Sequence, residues 1–171
     1  MPVGRDAVIM QFTAEHYFRV SRERIGQAWA LYRLGSAYAL AMYSAGVAVE
    51  CMLRAYKLRI DATFDERHDL ARLLRSSGIF NLERSLMRRK GLSQEQIRVF
   101  VREIQNAVND VVILWSNDYR FASEQRLRVF LRKTVSLKMR VTGDLLKPLA
   151  LRLLNAAERV VNRGEVLWER Y

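Results

Sequence analysis

Few side chains in this sequence can do chemistry beyond carrying charge. The nitrogen and sulfur ligands are His16, His68 and Cys51. None has a second ligand at the spacing a metal ion needs, which argues against a metal centre and leaves no cofactor to expect. GxGxxG and GxxxxGK[ST] loops, which cradle phosphates, are absent, and so is the GxSxG elbow of a serine nucleophile. Cys51 lies in an apolar run, where a thiol acts as a small hydrophobe and makes a poor nucleophile. Glu50 is a carboxylate inside an apolar segment, and a buried charge is costly unless paired. It is either held in a structural ion pair or hydrogen bond, or it belongs to a site. His68-Asp69-Leu70 reads either as a helix cap with a packing histidine or as part of that site.

The remaining chemistry is cationic. The chain has 171 residues and a formal net charge of +11. From Tyr119 to Arg163, eleven Lys and Arg stand against Glu124, Asp144 and Glu158, so this stretch carries +8 of the +11. Arg126, Lys133, Arg140 and Lys147 recur every seven residues, and Arg128, Arg132 and Lys138 widen the run. On one continuous helix the four would form a slowly drifting stripe roughly 30 Å long. Such a stripe is a solvated helix face, a track for phosphates or a contact for a protein partner. Phe121 and Phe130 are the only aromatics nearby, which favours backbone contacts over base stacking.

These residues must be positioned by helices. Apolar residues recur at three-to-four spacing over 12–34, with Thr13 as a start and Gly35 as a stop. A second helix, capped by Ser36 and running to about Ile60, is apolar nearly all round and belongs at the centre of the fold. Short helices follow at about 68–75 and 80–89. Ser93 and Gln96 have capping-box spacing and open a helix to about Trp115. Ser116-Asn117-Asp118 is a cap and turn, and Ser123 starts a long helical region. Asp144 can cap a separate last helix that ends near Asn162 at Arg163-Gly164, with Pro148 tolerated in or near its first turn. No alternating stretch suggests a strand.

The expected fold is therefore all-α: one domain over 1–171, core about 12–163, in a compact bundle of about five or six helices with a long C-terminal helical region. Half the residues are hydrophobic, and only eight are Gly and two Pro, which fits such a bundle. One cysteine, no evident basic-then-apolar leader in MPVGRDAVIMQF and no run of roughly 18–20 apolar residues point to a cytoplasmic protein without a membrane span.

The segment AGVAVECMLRA, 45–55, followed by HDLARLL, 68–74, resembles one branch of the HEPN domain family. Gly46, Ala48, Glu50, Leu53, Arg54 and Ala55 match its G-x-A-x-E-x-x-L-[KR]-A pattern, and His68, Asp69 and Leu70 its HDL. ERIGQAWALY upstream is similar to the branch's first helix, and WSNDYRF, 115–121, to its junction of Trp with Arg and an aromatic. The resemblance spans roughly 12–121. It implies a helical bundle that forms a homodimer and works on RNA. It also makes Arg120 the expected counter-ion of Glu50, with His68 or Asp69 nearby.

Many HEPN domains are metal-independent ribonucleases with an Arg-x(4–6)-His motif. Here no Arg precedes a His at that interval, and no His follows Arg120, so the usual general acid or base is missing. The resemblance then implies a non-catalytic or degenerate member. Its ligand would be RNA, held by Arg126, Arg128, Lys133, Arg140 and Lys147, or a nucleotidyltransferase-type protein in a toxin–antitoxin module. The alternatives are a ribonuclease with a non-standard set (Glu50, His68, Asp69, Arg120) and a purely structural interaction module.

Overall fold

The computed structural model describes residues 12–64, 69–135 and 143–170. These residues form α1 (Ala14–Arg33), α2 (Tyr38–Ile60), α3 (Leu70–Ser76), α4 (Ile79–Arg89) and α5 (Gln94–Leu114). A 3-10 turn (Asn117–Phe121), α6 (Glu124–Thr134) and α7 (Leu146–Trp168) follow. The class is all-α, with no strand among the described residues. Among the described residues there are seven α-helices, the last of them the one that Asp144 caps. α6 ends at Thr134 and α7 begins at Leu146, so the seven-residue basic spacing does not run along one helix.

Sequence chemistry sets most helix starts. Thr13 accepts a hydrogen bond from the His16 amide at 3.1 Å. Ser93 and Gln96 complete a reciprocal capping box, at 3.2 and 2.9 Å. Ser123 accepts from the Arg126 amide, and Asp69 from the Arg72 amide. Asp144 accepts from the Leu146 amide at 3.1 Å, and Pro148 falls in the first turn of α7. The expected Ser36 cap does not form: Ala37 holds the cap position of α2 without a side-chain bond. Instead the Glu124 carboxylate, 85 residues away, accepts from the Ala39 amide at 2.6 Å. A carboxylate at this end also meets the positive pole of the helix dipole.

α2 is the central element, packed against α1, α7, the 3-10 turn, α3 and α6. Its small residues Ala41, Ala45, Ala48 and Ala55 are fully buried and let these neighbours approach closely. Ser21 on α1 donates to the Ala48 carbonyl at 2.8 Å. Tyr56 donates to the Gly164 carbonyl on α7 at 2.6 Å. Phe18 stacks on Trp168, and Tyr56 meets the same indole edge-on.

α7 does not stop near Asn162. Gly164 lies inside it, and the helix continues to Trp168. The glycine serves a close approach rather than an ending: a Cβ there would sit 2.5 Å from Met52 Sδ. Glycine disfavours helix by about 1 kcal/mol, which is why Gly164 looks like a stop in the sequence. Here the contact of α7 with α2 outweighs that preference.

Cys51 is buried in α2. Desolvation, then the neighbouring Glu50 charge, push its thiol from 9.0 up to about 12, against Arg54 and Arg24. Burial alone pushes the Tyr119 hydroxyl from 10.0 up to about 12. Both groups stay protonated in the fold after they have ionised in the unfolded chain. Above pH 9 the unfolded state therefore binds fewer protons, and stability falls as pH rises toward 12. Native Cys51 should resist a disulfide-exchange reagent until denaturant is added. The urea midpoint should drop between neutral pH and about pH 11. An unchanged midpoint would contradict the burial of both groups.

Candidate nucleic-acid interface

Among the described residues, Glu50, Asp69 and Arg120 each make a separate contact. Glu50 is 5 % exposed and accepts from Arg54 Nε at 2.8 Å, one turn further along the same helix. The Arg54 guanidinium also lies 5.8 Å from the Tyr17 ring and 5.7 Å from the Phe64 ring. This corrects the expected pairing with Arg120. Arg120 is exposed and sits over its neighbour Phe121, 4.5 Å from the ring centroid. Asp69 is exposed and caps α3, while His68 lies outside the described residues. The i, i+4 spacing of Glu50 and Arg54 was the sequence signal for the pair that forms. Among the described residues no group of three His, Cys, Asp or Glu is arranged to hold a metal.

The basic residues of the C-terminal region divide. α6 turns Leu127 and Leu131, four apart, into the core, with Val135 just beyond its end. Arg126, Val129, Phe130 and Lys133 are thereby placed on the exposed side. Arg128 donates to Asp144 at 3.1 Å, and this link, after the Leu146 amide, holds the Asp144 carboxyl below its ordinary range. Its charge is therefore already countered. Lys147 is exposed in the first turn of α7 but lines neither of the grooves beside α6. Arg140 and Lys138 lie outside the described residues.

The 3-10 turn completes the surface. The Ser116 hydroxyl accepts from the Asp118 amide, starting the turn. Tyr119 is buried and anchors it, which directs Arg120 and Phe121 outward. Phe121 is 77 % exposed and Phe130 47 %. Both line a groove of about 520 Å³ together with Arg126. An adjoining groove of about 490 Å³ shares Arg126 and Phe130 with the first and reaches Lys133. Phe121, Phe130 and Arg126 thus line the first groove, and Phe130, Arg126 and Lys133 the second. Two phenylalanines nine residues apart carry no stacking signal in sequence; the turn and the helix bring both to one groove.

No helix among the described residues is long and apolar enough to cross a membrane. No family model matches the chain. No curated protein and no solved structure is detectably similar to it.

Proposed function

We propose that this chain is an RNA-binding helical-bundle protein of the HEPN type, without the ribonuclease chemistry of its catalytic relatives, which holds single-stranded RNA along the groove between the 3-10 turn and α6. The observation that carries this reading is the pair of adjoining grooves: exposed Phe121 and Phe130 line the first with Arg126, and Phe130 and Arg126 line the second with Lys133. Exposed rings accept bases of any identity, and cations beside them neutralise the phosphates that link those bases. The net charge of +11 adds a long-range attraction for the same polyanion. The ligand is thereby sequence-tolerant RNA. A homodimer and a nucleotidyltransferase-type partner belong to the same family reading, and size-exclusion chromatography with light scattering tests the dimer.

A fluorescent single-stranded RNA titrated over a salt series tests the groove. Affinity should fall steeply with salt. Charge reversal at both Arg126 and Lys133 should lower the log–log salt slope by about 1.4, two phosphates at about 0.7 each, before any added repulsion. Phe121→Ala should weaken binding by about 1–3 kcal/mol, the value of one stacked base. Its exposure predicts little change in melting temperature. Binding that ignores salt and all three substitutions would discard the reading.

A further inference from the structure

A second cationic surface lies on different elements. Arg84 and Arg88 on α4 and Arg98 and Arg102 on α5 border one groove of about 330 Å³. All four are exposed, and the floor is made by Ile97 and Val101. On each helix the two arginines are four residues apart, about 6 Å along the axis. Like charges at this spacing destabilise a helix, and here two such pairs share one groove. Little opposes them: Glu95 approaches Arg98 only at 3.7 Å with both side chains open to water, and Arg84 has a 3.5 Å contact with Asn81. The other carboxylates nearby in sequence are not part of it. Glu83 is buried against Arg163, and Glu103 lines a separate groove beside α7.

We infer that the α4–α5 groove is a second phosphate-binding site, occupied by the sugar–phosphate backbone of a nucleic-acid strand. Arginine forks bind phosphate oxygens in pairs, and arginine is less strongly hydrated than lysine, so it gives up water more readily on contact. The separation of successive arginines along each helix is comparable to that of neighbouring phosphates along a strand. A strand laid in the groove therefore meets several forks, whereas one free phosphate meets only part of the array. No aromatic ring lines this groove, so it reads backbone and not bases. The inference rests on the proposed function for its occupant, a polynucleotide, but not on the α6 groove.

The test uses the full chain and a labelled uridine 20-mer over a salt series. Arg88→Gln with Arg102→Gln should weaken binding on the order of tenfold or more at low salt and reduce the salt slope by about 1.4. Arg88→Lys with Arg102→Lys should keep the slope and lose less affinity, since the charge stays and only the fork is lost. The melting temperature of the free glutamine variant should hold or rise, because like charges have been removed. If the glutamine variant binds as tightly as the parent with the same slope, the inference fails and the α6 groove stands alone. If Arg126→Gln with Lys133→Gln is silent while the α4–α5 variant loses binding, the α6 reading fails and this site stands. Inorganic pyrophosphate that displaces the RNA at equal phosphate concentration would reassign the groove to a free phosphate compound and overturn the backbone occupant. Polyglutamate that binds as tightly as the RNA would overturn phosphate selectivity.

Discussion

Gly46→Ala should destabilise the protein by about 3 kcal/mol or more, although alanine is the better helix former by about 1 kcal/mol. Gly46 is in the middle of α2, and a Cβ there would fall far inside contact distance of the Trp115 indole. The indole cannot simply step aside. It is nearly buried, and its Nε1 donates to the Tyr43 carbonyl at 3.1 Å. Either the ring is forced off its position at the cost of overpacking, or it leaves the core. Loss of a buried tryptophan side chain costs about 3–5 kcal/mol, which bounds the second outcome. Urea unfolding measures the loss. In a Trp115→Ala background the same glycine change should cost far less, so the double-mutant cycle should show coupling of up to about 3 kcal/mol. A neutral or stabilising Gly46→Ala would mean the indole does not lie on α2.

Two other helical glycines separate sterics from propensity. Gly26 in α1 has open space where its Cβ would be, so Gly26→Ala should stabilise by about 0.5–1 kcal/mol. Gly164 faces the flexible Met52 side chain, which can partly move away. Its alanine variant should fall between the other two. The order of the three tests packing alone, because the substitution is the same in each.

Local signals made much of the fold legible in the sequence. The caps at Thr13, Ser93, Ser116 and Ser123 act on amides two or three residues away, and spacing encodes such contacts directly. What stayed hidden was long-range. The Glu124 cap of α2 and the Glu83–Arg163 pair join residues 85 and 80 apart, and nothing in local spacing marks a partner at that distance. The candidate sites follow the same division. Arg126 and Lys133 stood out because acids are scarce around them. The four α4–α5 arginines did not, because they lie on two helices and nothing in local spacing shows that the two border one groove. Folding sends Glu83 inward and Glu103 to another groove, which leaves the water-exposed Glu95, 3.7 Å from Arg98, as the nearby carboxylate.

Arg163→Met should be strongly damaging, costing about 3–5 kcal/mol. Glu83 on α4 is 1 % exposed, and it accepts from Arg163 Nε on α7 at 2.6 Å, with Nη2 of the same guanidinium also against it. Removing the arginine leaves a carboxylate in the interior without its cation, and that desolvation is what makes the single substitution costly. Removing both charges relieves the problem: Glu83→Leu with Arg163→Met should lie within about 1–2 kcal/mol of the parent, or above it. Glu83→Gln in the Arg163→Met background should recover most of the loss, since the amide keeps a hydrogen-bonding group and drops the charge. These three urea midpoints distinguish a buried pair from a surface one. A surface pair would give less than about 1 kcal/mol for the single change and no rescue by the double. That pattern would place Glu83 in water and detach α4 from α7.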